Sequence, residues 1–406
     1  MLSSRFKPIN LFFYSGIALS QKLLQKLLVP YDEIRPKMVK PDELLMKLQL
    51  SGITIVNTRP WGYIIKPNKV QVNLCGVWCI VPNIKILGRT VDEIKRTLIT
   101  VNKWHLKLSG NNVIVTKVEP LYTEIDVKEL VNELMEDTPL TVLIEGLGYK
   151  LTKDIVKLMI PRLIPLVNPD THVLQFTPYE TGKTEYGLYL AMYFGWGYVT
   201  CNPTDASMMF DAQRGAYGYA VISEGIVFDE LDKWNPNIIQ NTQWIYQMPT
   251  WMEQGIMLRP VSFSRIIPIA NKVPTVWFGN ISPYYGGYET DKVNQLFTSF
   301  NVPSIVDRLT LVHVCEDAPR ILDYVTGKAL PPPVMIEYIN ELRKVRPDFE
   351  LKSKLRGRRK RHSINIQLAL YRLGVLGEGE KYHNMIDIID YCVENGWETC
   401  WNAYLK

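Results

Sequence analysis

Residues 172–193 read HVLQFTPYETGKTEYGLYLAMY. An apolar strand runs into a short loop, and Gly-Lys-Thr then opens a helix. Phosphate binding needs this order. Loop and helix N–H groups point at the anion, and the helix dipole favours negative charge there. Lys183 is placed to neutralise β/γ-phosphate charge, and the Thr184 hydroxyl to hold Mg²⁺. The loop consists of Thr177, Pro178, Tyr179, Glu180, Thr181 and Gly182, followed by Lys183 and Thr184. The pattern G-x-x-x-x-G-K-[ST] is broken at its first position, where Thr177 stands. Taken alone, the stretch is also what an ordinary strand, loop and helix with a chance GKT would show.

Three downstream segments supply what a phosphate loop would need. GIVFDELDKW (225–234) is a buried strand ending in two carboxylates. Asp229 is expected to order the Mg²⁺ shell and Glu230 to polarise an attacking water. VPTVWFGNIS (273–282) ends another buried strand in Asn280, a polar side chain able to orient that water. PSIVDRLTLVHV (303–314) carries Arg308 at the start of a further strand, a position from which an arginine can stabilise transition-state charge in a neighbouring subunit. The bland alternatives are an acidic turn, a turn asparagine and a surface arginine paired with Asp307. GYVTC (197–201) fills the place of the remaining strand. Order and spacing together favour an ATP site over these alternatives.

Around this core the chain changes character. Residues 52–120 are rich in Val, Ile, Thr, Tyr and Trp, with GITIV, GYIIK, KVQVNLCGVWCIV, HLKLSG and NVIVTKV reading as strands. TVDEIKRTLITVNKW, from Thr90, reads as a helix capped by Thr90 with Glu93 three residues on. Residues 1–50 read as helical, with the KLLQKLL stripe (22–28). The PPP run at 331 marks a boundary, and the tail after it reads as helical. That tail holds the densest charge run, KSKLRGRRKRH (352–362).

At 406 residues the chain is too long for one ordinary core. A net charge of +5 imposes no global basic field, so any nucleic-acid contact must come from local patches. No apolar run reaches the roughly 18 residues of a membrane span. The INLFFYSGIAL stretch (9–19) is too short, and the expectation is a cytoplasmic protein without a membrane partner. The six cysteines are scattered, which suggests core thiols rather than a disulfide framework. The five histidines form no catalytic arrangement.

At this point the residues resemble a known group. DELDKW is similar to the acidic segment of minichromosome maintenance (MCM) replicative helicases. RGAYGYAVISEG (214–225) resembles their hairpin insertion, and WMEQGIMLRPVSFSRI (251–266) their M-E-Q-Q helix and pre-sensor hairpin. FGNIS falls at sensor 1, VDRLTLV at the arginine-finger segment, and GLGYKLTKDIVKLMIPRLIPLV (146–167) in the place of the helix before the first strand. The same segments resemble the ATPase core of Lon-like proteins from phage-defence systems, although no Lon protease segment is read in this chain. INIQLALYRLG (364–374) resembles the sensor-2 helix, with Asn365 where the arginine belongs and Arg361, one turn earlier, as its substitute.

The resemblance implies an α/β P-loop AAA+ core, a mainly parallel sheet with helices on both faces, over 136–330. An α+β N-terminal domain (1–135) for DNA or partner binding would precede it, and a helical C-terminal lid (331–406) would follow. It implies ATP and Mg²⁺ as cofactors, a homo-oligomeric ring (a hexamer) and DNA, single- or double-stranded, as partner. Glu230, Asn280 and Arg308 become the catalytic residues. Residues 177–184, Asp229 and Arg361 become the nucleotide site. Arg259, Arg265 and Lys272 of the hairpin become the DNA contact. The main expectation is an MCM-like helicase or translocase. The alternatives are an ATPase of a defence or remodelling system that binds duplex DNA or protein without unwinding, and a weakly active structural homologue.

Overall fold

The structure, a computed structural model, describes residues 24, 27–30, 40–58, 60, 62–66, 69–90, 93–94, 97–98, 102–120, 127–213, 215–262, 265–281, 296–300, 302–377 and 380–402. The apolar stretch 9–19, most of the KLLQKLL stripe, and Phe263 and Ser264 lie outside these residues.

The Val/Ile/Thr-rich stretch forms a six-stranded sheet from β1 (Ile53–Thr58), β2 (Gly62–Lys66), β3 (Lys69–Leu74), β4 (Val77–Val81), β5 (Asn102–Ser109) and β6 (Asn112–Pro120), in the order β1-β5-β6-β4-β3-β2. Two readings need correction here. KVQVNLCGVWCIV is a hairpin rather than one strand: Cys75 and Gly76 both take positive φ (53° and 86°), as a tight two-residue turn demands. The helix from Thr90 does not reach Trp104. Its capping box is present, with the Glu93 N–H donating to Thr90 Oγ1 (3.1 Å) and the Thr90 N–H to the Glu93 carboxylate (3.2 Å). Asn102–Trp104 instead begin β5, where alternate residues Trp104 and Leu106 are buried. A two-residue apolar period outweighs helix continuation there. Helix α1 (Pro41–Ser51) buries Leu44 and Leu48 in this sheet's core.

The loop-bearing region is built on β7 (His172–Thr177), β8 (Gly197–Val199), β9 (Ile226–Phe228), the hairpin β10 (Ile256–Ser262) and β11 (Arg265–Ala270), β12 (Thr275–Asn280) and β13 (Leu311–Val314). Five of these form one parallel sheet, ordered β13-β7-β12-β9-β8. Side chains alternate between two cores. Val173, Val227, Val276 and Phe278 enter one, while Leu174, Phe176, Ile226, Phe228 and Trp277 enter the other. Both faces are therefore covered, as parallel sheets require. Helices α2 (Lys153–Val167) and α3 (Lys183–Tyr193) supply the first core, and α4 (Gln243–Gln254) the second.

After the proline run come α5 (Pro332–Lys344), α6 (Gly357–Arg372) and α7 (Glu380–Asn395). α5 starts inside that run, with proline in its first turn, where a missing N–H costs nothing. The tail also anchors α2. Pro161 cannot donate to the Lys157 carbonyl, and the Trp397 indole N–H takes its place at 2.9 Å. Cys392 and Cys400 form a disulfide, which corrects the reading of all six cysteines as separate thiols. The helix–turn geometry brings together two residues eight apart, and spacing in the sequence does not announce it. Cys75, Cys79 and Cys315 are buried thiols, while Cys201 is exposed.

Candidate nucleotide site

The strand β7 is flanked by β13 and β12, so its carboxyl end opens at a point where neighbouring connections diverge, the usual ligand crevice of such sheets. Glu180 and Gly182 take positive φ (66° and 72°) and curl the loop. A Cβ at Gly182 would lie 2.9 Å from Ile321, so that position needs glycine. Thr177 does not. It ends the strand fully buried, and its hydroxyl lies 2.7 Å from Thr181 Oγ1 and 3.0 Å from Lys183 Nζ. The residue that breaks the sequence pattern is thus part of the loop's own polar network.

The Lys183 ammonium is nearly buried. It donates to the Thr177 carbonyl (3.0 Å), the Pro178 carbonyl (2.7 Å) and Thr181 Oγ1 (3.2 Å). Burial first, and the Arg162 charge second, push it down to about 7. Asp229 at the end of β9 accepts from the Thr184 hydroxyl (2.9 Å), the Tyr198 hydroxyl (2.6 Å) and the Glu230 N–H (2.8 Å). Glu230, at φ 55°, is one of three non-glycine residues described in the left-handed region. Its carboxylate is more exposed and pairs with Lys233. Asn280 does reach this edge, but its backbone and side-chain amides both bond Asp232 (2.8 and 3.2 Å). Beside the loop, a cavity of ≈ 190 Å³ is lined mainly by apolar side chains, including Leu147, Tyr149, Tyr186, Tyr189, Ile321 and Val325.

Sequence reasoning missed Tyr198, Asp232 and Arg162. Asp232 sat in plain view inside DELDKW. Arg162 lies in the 146–167 stretch, but nothing local marks it, since it sits on α2 and reaches the loop only in the folded chain. Its Nη2 donates to the Thr181 carbonyl at 3.0 Å.

Arg308 and Arg361 lie elsewhere. They line a pocket with Asp170, His172, Glu253, Lys272 and Thr310, at the amino-terminal ends of β7, β12 and β13. The length of β7, roughly 17 Å at about 3.3 Å per residue, separates this edge from the loop. Arg361 therefore does not join the nucleotide loop of its own chain. It pairs with Glu253 (3.0 Å), as do Arg358 (3.2 Å) and Arg308 (3.6 Å). Arg308 also donates to the carbonyls of Pro249 and Ser304, 2.8 Å each, and its ion-pair partner is Glu253 rather than Asp307. Asn365 donates to the Asp170 carbonyl (3.1 Å).

The hairpin β10–β11 has the expected form, and two of the expected cations are ion-paired. Arg259 pairs with Asp205 (3.1 Å) and Lys272 with Asp170 (2.6 Å). The Arg265 side chain lies outside what is described. Several cations of the basic run 352–362 are ion-paired: Lys354 with Asp387, Arg359 with Glu394, and Arg358 and Arg361 with Glu253.

His313, Cys315 and Glu398 also converge, a grouping with metal-ligand chemistry. The hydrogen bonds argue against an ion there. Gln175 Oε1 accepts from Arg162, so its amide donates to His313 Nδ1 (2.8 Å), and the imidazole proton sits on Nε2, facing Glu398 (3.3 Å). Lys157, 2.6 Å from Glu398, already supplies the cation.

No helix among the described residues is long and apolar enough to cross a membrane. Three viral proteins are similar to this chain. Uncharacterized protein 440 of Sulfolobus islandicus rod-shaped virus 1 is 26% identical over 314 residues, 70% of each chain. Uncharacterized protein ORF426 of Acidianus filamentous virus 1 is 25% identical over 72% of this chain and 75% of its own. Uncharacterized protein ORF425 of Acidianus filamentous virus 2 is 26% identical over 42% and 41%. The family described as "Lon-like protease BrxL-like, ATPase domain" matches residues 113–354, more than half of the chain. Of the two resemblances in the sequence, this match supports the Lon-like one. With a loop of phosphate-binding form, the acid pair beside it and the parallel sheet beneath, the chain belongs to the BrxL-like ATPase family.

Proposed function

We propose that this chain is an ATP-hydrolysing, AAA+-like subunit that works in a homo-oligomeric ring, a hexamer, on DNA. The observation that carries the reading is the contact between Thr184 Oγ1 and Asp229 Oδ2 (2.9 Å), next to a buried Lys183 and beneath Glu230. Thr184 and Asp229 offer the hard oxygen donors that Mg²⁺ takes, so the pair fits that ion. Bound there with ATP, Mg²⁺ would neutralise phosphate charge. Lys183, turned now onto loop oxygens, exchanges these for phosphate oxygens. Glu230 leaves Lys233 and orients the attacking water, with Asn280 held on Asp232 beside it. The apolar cavity lined by Tyr149, Tyr186 and Tyr189 receives the base.

Arg308 stands at the opposite sheet edge from its own loop, which suits service to a neighbouring subunit's nucleotide. The proposed organisation is an N-terminal region to about residue 135, a core over 136–330 and a helical lid over 331–406. For the DNA step, holding or remodelling duplex DNA without unwinding is the better-supported mode. It is the alternative nearer to the Lon-like family match.

The test is nucleotide binding and turnover of purified protein. Lys183→Ala is expected to lose tight ATP binding in calorimetry. Glu230→Gln is expected to keep binding and to slow hydrolysis at least about a hundredfold. Unchanged affinity in the first variant would remove the phosphate loop from the reading.

A further inference from the structure

Arg162 is fully buried in the middle of α2. Its Nε donates to Gln175 Oε1 at 2.7 Å and its Nη2 to the Thr181 carbonyl at 3.0 Å. The guanidinium carbon lies 5.8 Å from the Tyr186 ring centre and 5.3 Å from that of Phe278. Among the described residues, no carboxylate forms an ion pair with it. Arginine stays charged under all ordinary conditions, even though burial lowers this one to about 10. A buried cation with no carboxylate in contact is costly, and two aromatic faces, two oxygen acceptors, the Met159 sulfur and the more distant Asp229 charge offset only part of that cost. The charge sits directly under the loop whose other cation is Lys183, itself wrapped in carbonyl and hydroxyl oxygens.

We propose that Arg162 is a second cation of the phosphate site: a positioning residue that fixes the Thr181 carbonyl and lends its field to the bound polyphosphate. The inference rests on the reading of 177–184 as a nucleotide loop. Arg162 touches no phosphate. It acts through the loop and through a low-dielectric interior, where a charge is felt farther than in water. A hydrogen-bonding prop would need only a donor, and a neutral residue could supply one. The aromatic lining and the absence of a carboxylate in contact, with the Asp229 charge felt only from a distance, suit a charge kept for an anion that arrives later.

The experiment measures AMP-PNP affinity by calorimetry, and melting with and without AMP-PNP, for the full chain and for Arg162→Met, Arg162→Gln and Arg162→Lys. Met and Gln are expected to lose at least tenfold in affinity. Lys, which keeps the charge but not the fork, is expected to stay within about threefold of the parent. Ligand-free Arg162→Met is expected to melt no lower than the parent, because it removes a burden from the fold. Parent-like affinity in the Gln variant, or a Lys variant as weak as Gln, would overturn the proposal. So would a Met variant that cannot fold without ligand, since Arg162 would then be a strut. If the parent itself binds no AMP-PNP, the nucleotide reading fails instead, and the two failures are distinguishable.

Discussion

At the carboxyl edge of the parallel sheet, Arg162 and Lys183 are buried and held by carbonyls, hydroxyls, an amide and aromatic rings. At the amino edge, Arg308, Arg358 and Arg361 converge on the single carboxylate Glu253, and their side chains keep 18%, 33% and 56% of their surface in solvent. Arg162 cannot leave without dismantling the loop's support. Exposed ion pairs contribute only about 0–1 kcal/mol each, so Arg361, the most exposed of the three, can turn to another anion at little cost, whereas Arg308 must also give up the Pro249 and Ser304 carbonyls. One edge keeps its cations on neutral acceptors, the other on a shared carboxylate. In the proposed ring, each interface would join one subunit's loop to the next subunit's arginines.

The largest expected effect tests that interface. Arg308→Ala should bind ATP yet lose on the order of a thousandfold in turnover, the scale of an arginine supplied in trans. Mixing it with Lys183→Ala subunits should restore activity, because some interfaces then pair an intact Arg308 with an intact Lys183. No rescue at any mixing ratio would leave Arg308 a tether for Pro249 and Ser304. A smaller effect concerns the hairpin rooted at the amino edge through Lys272 and Asp170. Arg259→Ala with Arg265→Ala should leave basal ATPase intact and reduce its stimulation by duplex DNA several-fold. Full stimulation in that double variant would clear the hairpin of any part in DNA contact.

The smallest effect lies in the polar chain that links Arg162, through Gln175 and His313, to Glu398 and Lys157. Burial opposes ionisation of Glu398, but His313 and Lys157 outweigh it and hold the carboxyl at about 2. A carboxyl depressed in the folded state stabilises above its unfolded value, here 4.5, and that contribution is lost as pH falls from there toward 2. Glu398→Gln should therefore destabilise by about 2 kcal/mol near neutral pH and flatten this part of the acid limb. The figure is below the ~3–5 kcal/mol of a fully buried pair because both partners keep some solvent contact. His172, kept neutral at about 4 by burial, adds a second acid-sensitive step between 6.5 and 4 in both proteins. Identical urea midpoints for parent and variant at pH 7 would show that Lys157 finds Asp317 a sufficient partner.

Much of the core was legible because it is written locally. The strands at 172, 226, 275 and 311 are short, apolar and bounded by polar residues, and Gly-Lys-Thr has to sit where a strand turns into a helix. The Thr90 capping box was legible for the same reason, being a contact three residues long. The Cys75–Gly76 turn was not, since a central Cys in an apolar run resembles strand and only the paired register shows the reversal. Asp232 was visible in DELDKW, but nothing local says that it, rather than solvent, occupies the Asn280 amide.

The sequence by itself determined the loop 177–184, the acids at 229 and 230 and a largely parallel sheet under them, because each depends on near neighbours and on apolar period. Only the tertiary structure decided that Arg361 joins Arg308 and Glu253 a strand's length from the phosphate loop, that Cys392 meets Cys400, and that Arg162 stands beneath Thr181. Each of these joins residues through packing rather than adjacency. The direction in which a helical side chain points, and which sheet edge it reaches, depends on how every other layer has already settled.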